Sequence, residues 1–202
     1  MANEELPLEY HPFPPFIPEN AKVLIMGTFP PGPHRWSMEF YYPNRTNDFW
    51  KVMGIIFYND PEALYDKETA SFKLDEIQKL LNDKWIALHD TVHAVRRLQG
   101  NASDKFLDIV EPVDLGALLD KMPDLRAVAT TGEKAAGVIA ELTHTPAPKM
   151  GAHVSMADST DNPFDRQFEI WRMPSTSRAY PLAPAKKAAY YAELFRSVGI
   201  ID

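Results

Sequence analysis

Four short, mostly apolar runs punctuate the chain, each closed by small or polar residues. Val23 to Met26 stops at Gly27, and Trp85 to Leu88 stops at His89-Asp90. Arg126 to Thr130 leads into Thr131-Gly132, and Phe168 to Met173 into Pro174-Ser175-Thr176-Ser177. Runs of this length bounded by turn residues read as buried strands. Between them the period changes to that of a helix. Phe49, Trp50, Met53, Ile56 and Phe57 share one helical face, with Thr46 or Asn47 as cap and Asp48 in the first turn. Leu74, Ile77, Leu80 and Leu81 mark a second helix, and Asp114 opens a third through Met122, stopped by Pro123. A fourth follows Gly132 through Ile139 and Leu142, and a closing helix runs from about Pro184 to Val198 with Tyr191, Leu194, Phe195 and Val198 inward. Residues 143–165 read as a long loop with a short strand around His153 to Met156.

Alternation of strand and helix calls for a parallel sheet with helices on both faces, in a single domain spanning 1–202. The consequence is geometric. The four loops that follow the strands share one edge of such a sheet, so Gly27 to Asn47, His89-Asp90, Thr131-Gly132 and Pro174 to Ser177 converge on one cleft. Residues 1–20 hold five of the 18 prolines together with Phe13, Phe16 and Ile17, and read as an extended Pro-rich arm laid on the domain.

Composition narrows the chemistry. The chain has no cysteine, which removes disulfides, thiolate metal sites and a thiol nucleophile, and its six histidines fall in no metal-ligand spacing. Lys plus Arg total 21 against 28 Asp plus Glu, a formal charge of −7, so any contact with nucleic acid rests on a local basic patch. No apolar segment approaches the roughly 20 residues of a membrane span, and the acidic, Pro-rich N-terminus lacks the pattern of a signal peptide. The expectation is a soluble, cytoplasmic protein, monomeric, without a metal or other cofactor.

Five segments taken in order carry a family resemblance: GTFPP from Gly27, YYPNRTNDFW from Tyr41, LHDTV from Leu88, TTGEKA from Thr130 and MPSTSRAY from Met173. Together they resemble the uracil-DNA glycosylase superfamily, and within it the hypoxanthine-DNA glycosylase-like branch, from about residue 21 to residue 198. The resemblance implies a three-layer α/β/α fold around a central four-stranded parallel sheet. It also implies an enzyme of base-excision repair that flips a deaminated base, uracil or hypoxanthine, out of DNA and hydrolyses its N-glycosidic bond without a metal.

Residue roles follow from that likeness. Many superfamily members carry Asp or Asn two residues after the first-loop glycine, where this chain has Phe29. In the hypoxanthine-type branch catalysis is associated with a later Asn, matched here by Asn47, whose side-chain carbonyl can orient a water. The same residue would be favoured there as a helix cap. Phe29 is expected to stack on the extruded base, one of Tyr41 and Tyr42 to wall the pocket, and Thr28 to offer a hydrogen bond. Thr131 is placed at the base edge, with a hydroxyl that donates or accepts but cannot pair as a two-pronged amide. Ser175, Thr176, Ser177, Arg178 and Lys186, with Lys187 beside it, are expected on the DNA backbone, and Tyr180 or Leu182 as a wedge. Arg96 and Arg97 can reach phosphate or form a solvated face. Asp90 is read as positioning loops, since an unpaired acid facing DNA repels it.

Two further readings remain open. The Thr131 hydroxyl and the negative charge suit a catalytically silent nucleic-acid or nucleobase-binding protein on the same scaffold. A serine hydrolase using Ser175 or Ser177 lacks the G-x-S-x-G elbow.

Overall fold

The computed structural model describes residues 6–98 and 106–202, so the first five residues of the arm lie outside the described residues. Along the chain come β1 (Leu8–Tyr10), β2 (Val23–Gly27), α1 (Phe49–Tyr58), the hairpin β3 (Tyr65–Asp66) and β4 (Ser71–Phe72), and α2 (Leu74–Asp83). There follow β5 (Ile86–Asp90), β6 (Val92–Arg97), β7 (Leu107–Pro112), α3 (Leu115–Leu119), β8 (Ala127–Thr131) and α4 (Glu133–Thr143). Last are β9 (His153–Ser155), β10 (Glu169–Met173) and α5 (Pro184–Ser197).

The central sheet has the order β5-β2-β8-β10-β9. Its first four strands are mutually parallel, and β9 adds an antiparallel edge. The expectation of four strands is therefore corrected to five in a mixed sheet, because the short strand near His153 pairs with β10 instead of ending in the loop.

Why the strand runs are unbroken is visible in β2. Val23 and Ile25 join a core with Trp50, Leu194 and Phe195, while Leu24 and Met26 join a second core with Leu118 and Ile139. A strand covered by helices on both faces has no polar side to alternate with. Asp114 caps α3 by accepting from the Ala117 N–H at 2.9 Å. In α1, a Cβ on Gly54 would meet the Asp60 carbonyl oxygen at 2.4 Å, so only glycine lets the following turn fold back on the helix.

A second sheet, β1-β6-β7, is antiparallel throughout and was not expected from the pattern. Its β1 belongs to the arm. Farther along, Phe16 bridges Leu88 with paired backbone hydrogen bonds of 3.0 and 2.9 Å, covering the exposed side of β5. The arm is thus stitched to the domain at two places. Among the described residues no helix is long and apolar enough to cross a membrane.

Candidate functional site

The C-terminal ends of β2, β5, β8 and β10 open into one cleft of about 880 Å³. Thr28, Phe29, Tyr42, Asn47, Thr131, Ser175, Thr176, Ser177 and Arg178 all line it, with Asp90 and Arg35. All four strand-end loops meet there. Tyr41 and Lys186 do not line it.

Gly27 forms the floor. A Cβ there would lie 2.8 Å from Asp90 Oδ1, 3.4 Å from Tyr42 Oη and 3.5 Å from Thr131 Oγ1, so three polar atoms close around the missing side chain. The Gly27 N–H donates to Asp90 Oδ1 at 3.1 Å. Asp90 Oδ2 lies 2.8 Å from His11 Nε2, a partner brought in by the arm. Asp90 is therefore paired on both oxygens.

Of the two tyrosines the geometry favours the second as cavity wall. Tyr42 has φ of 51°, unusual for a bulky residue. Its ring stacks on Phe49 with centroids 3.8 Å apart, and its hydroxyl shares a 3.3 Å hydrogen bond with Thr131 Oγ1. Burial first, then the charge of Asp90, push the Tyr42 phenol well above its usual range, so it keeps its proton. Tyr41 turns the other way, into the core. Its hydroxyl donates to Pro14 O at 2.9 Å and meets His89 Nδ1 at 2.6 Å. A carbonyl only accepts, so the phenol proton goes to Pro14 and His89 Nδ1 carries the proton of the second bond. Burial and the neighbouring His11 pull the His89 imidazole down to about 4.

Phe29 packs against the apolar cluster of Val92, Val95 and Val138 and also borders the cleft, so one side chain belongs to both core and cavity lining. Its loop is braced from outside. Trp36 Nε1 donates to Pro31 O at 2.7 Å, and Arg97 Nη2 to Pro30 O at 3.2 Å. Arg97 also pairs with Glu9 at 3.0 Å, which occupies it structurally.

Asn47 stands on the rim just ahead of α1. Its Oδ1 accepts the Phe49 N–H at 2.9 Å, so the capping contact exists although Asp48 occupies the cap position. An amide oxygen has two lone pairs, and one remains for a water. Opposite, Ser175 Oγ accepts from the Ser177 N–H and Ser177 Oγ from the Ala179 N–H, both at 3.2 Å. A hydroxyl oxygen used as acceptor leaves its own O–H to donate outward, which suits a phosphate oxygen.

Lys187 departs from expectation. It is 0% exposed, lies 2.8 Å from Asp48 Oδ2 and donates to Ser177 O at 3.0 Å. The Asp48 N–H in turn donates to Thr176 O at 2.8 Å. This lysine locks the rim and does not face solvent phosphate. Lys186, one position earlier, is exposed on α5. Arg35, a polar group of the first strand-end loop, lines the cleft, and the pairing of His11 with Asp90 was not foreseen; a lone histidine in a Pro-rich arm carries no sequence signal of what it will meet. Among the described residues no group of three or more His, Asp or Glu is placed to hold a metal ion.

No protein-family profile matches the chain. Over 123 residues, 60% of this chain and 70% of the relative, it is 32% identical to a hypoxanthine DNA glycosylase of Methanosarcina barkeri (strain Fusaro). A hypoxanthine DNA glycosylase of Methanosarcina acetivorans is also 32% identical, over 61% of this chain and 71% of that protein. A solution NMR structure from Methanosarcina acetivorans, provisionally described as a uracil DNA glycosylase, superposes with a TM-score of 0.64. That likeness spans 95% of this chain and 99% of the other at 23% identity, and concerns the fold. The five ordered segments and the curated relatives agree, and the chain belongs to the hypoxanthine-DNA glycosylase-like branch of the uracil-DNA glycosylase superfamily.

Proposed function

We propose that this protein is a monofunctional, metal-independent DNA glycosylase of base-excision repair, acting on a deaminated base, uracil or hypoxanthine, in cellular DNA. The observation that carries this reading is the convergence of the four strand-end loops on one cleft with an aromatic wall, a hydrogen-bonding floor and a rim of outward hydroxyls. The family to which the relatives belong supports it. In this reading the flipped base enters between Phe29 and Tyr42, with Thr28 and Thr131 at its edge. Asn47 holds the attacking water through the free lone pair of Oδ1. Ser175, Thr176, Ser177 and Arg178 take the flanking phosphates, with Lys186 at the outer margin. A cytoplasmic monomer needing no cofactor is part of the same proposal.

The test is alkaline cleavage of end-labelled duplexes carrying uracil, hypoxanthine or xanthine, by wild type and by Asn47→Ala. Cleavage at one base, reduced about a hundredfold in the variant, is the expected outcome. Equal activity of the two proteins reduces Asn47 to a cap. Thr131, whose single hydroxyl lines the cleft, and the formal charge of −7 favour the second reading, a silent nucleic-acid or nucleobase-binding scaffold, and wild type that binds these duplexes without cleaving any establishes it.

A further inference from the structure

Hydrolysis of a glycosidic bond takes a proton from the attacking water, and the Asn47 amide cannot accept one at neutral pH. Among the described residues that line the cleft, Asp90 is the only acidic side chain. It stands at the end of β5, 5% exposed, with one bond to each oxygen: Gly27 N–H on Oδ1 at 3.1 Å and His11 on Oδ2 at 2.8 Å. A carboxylate offers about four acceptor sites, so capacity remains toward the cleft. Tyr42 and Phe49 connect Asp90 to the rim. Tyr42 Oη closes on the same point of Gly27 as Asp90 Oδ1, the Tyr42 ring stacks on Phe49, and the Phe49 N–H holds Asn47.

We infer that Asp90 is a catalytic carboxylate of this site and that His11, supplied by the N-terminal arm, is its positioning residue. The inference rests on the glycosylase reading above. The water oxygen bonds to C1′ of the deoxyribose while the C1′–N bond breaks and its electron pair leaves with the base. One water proton passes to Asp90 and from there, through solvent, to the departed base, so the carboxylate is regenerated. Before that transfer its negative charge opposes the positive charge growing on the sugar, an interaction made only as the bond breaks.

His11 is built for this task. Its side chain is 2% exposed. The ring lies nearly parallel to Tyr41 and edge-on to Phe29, with centroids 5.8 and 5.4 Å away. On either side the backbone is fixed by β1 against β6 and by the Phe16 bridge to Leu88. A histidine held this tightly leaves the Asp90 carboxylate one orientation, and the arm becomes part of the catalytic apparatus.

The experiment uses the full chain and whichever of the uracil, hypoxanthine and xanthine duplexes wild type cleaves. Single-turnover rates are measured for wild type, Asp90→Asn, His11→Ala and His11→Gln, together with Kd for a duplex carrying the 2′-fluoro analogue of that nucleoside. Asp90→Asn keeps the shape and the oxygen that accepts the Gly27 N–H, and its NH2 keeps the His11 contact once the imidazole takes its other tautomer and Nε2 accepts; the expected result is a rate lowered about a hundredfold with Kd within about threefold. His11→Ala is expected to lower the rate about tenfold at unchanged Kd, and His11→Gln, which restores an N–H toward Oδ2, to recover most of it. Asp90→Asn within about threefold of the wild-type rate overturns the inference, as does a loss matched by an equal loss in Kd. If Asp90→Asn does not fold, the histidine pair decides: a wild-type rate in His11→Ala, or no rescue by glutamine, sinks it. Wild type that cleaves none of the three duplexes removes the glycosylase reading itself, an outcome distinct from all of these.

Discussion

The Lys187 ammonium and the Asp48 carboxylate meet at 2.8 Å across 139 positions of sequence, 0% and 10% exposed, and join α5 to the start of α1 beside the cleft rim. Removing Lys187 leaves the buried Asp48 carboxylate with only the partly exposed Lys51 ammonium, 3.8 Å from Oδ1, and Lys187→Met is expected to cost about 3 kcal/mol in urea unfolding. Asp48 makes no side-chain cap on α1, so the double change Lys187→Met, Asp48→Leu should regain most of that loss. A single variant within about 1 kcal/mol of wild type contradicts the pairing.

The two neighbouring tyrosines separate function from stability. Tyr42→Ala removes the aromatic wall of the cleft, and loss of stacking worth about 1–3 kcal/mol predicts kcat/KM lower by about 5- to 150-fold. Tyr41→Phe leaves Pro14 O and His89 Nδ1 without their buried partner. Its expected effect is about 1–3 kcal/mol of stability, with turnover of folded protein unchanged. Steady-state kinetics and denaturant titrations on both variants check the division.

His89 sets a pH dependence. Its imidazole sits at about 4 in the folded protein, against an ordinary value near 6.5. The unfolded chain therefore binds the extra proton first as pH falls. Stability from the neutral, buried ring is complete above about pH 6.5, declines toward pH 4 and then levels off, by about 3 kcal/mol in all. His89→Asn keeps a donor for Tyr41 but does not titrate. The stability gap between wild type and this variant should narrow by about that amount between pH 6.5 and 4. A constant gap means the ring is protonated as easily when folded.

Arg178 at the exposed rim is expected to act through charge alone. Arg178→Ala should weaken binding of matched and undamaged duplexes alike and flatten the slope of log K against log salt by about 1. A change confined to the damaged duplex would place the guanidinium on the base.

The parallel core and the cleft-forming loops were legible because each signal was local. Val23 to Met26 and Phe168 to Met173 announce buried strands by themselves, Asp114 marks a helix start one residue on, and Pro184 is the first residue of its helix. The β6–β7 pair was not legible. A register shift at Ala94–Val95 buries two consecutive residues and destroys the alternation that identifies a half-buried strand. Arg96 and Arg97 then resemble a solvated run. Lys187 carried a signal that was passed over: it lies four residues before Tyr191, on the same helical stripe as Leu194, Phe195 and Val198. A lysine on an apolar stripe implies a buried acid, but nothing in the sequence points to Asp48. Within the candidate site, the Tyr41 and Tyr42 alternative could be settled only by the backbone turn that sends adjacent rings in opposite directions.

The lock formed by Lys187 also orders the events of biosynthesis. Three of the cleft's walls, from Gly27 to Thr131, leave the ribosome while the segment from Pro174 onward is still being made, and domains complete their folding as units. Until α5 emerges, Asp48 meets only the partly exposed Lys51 ammonium at 3.8 Å, and the Ser175 to Arg178 wall lacks the bond from Lys187 Nζ to Ser177 O. A nascent chain of this protein thus carries the surfaces proposed to hold the base before it carries those proposed to hold the backbone.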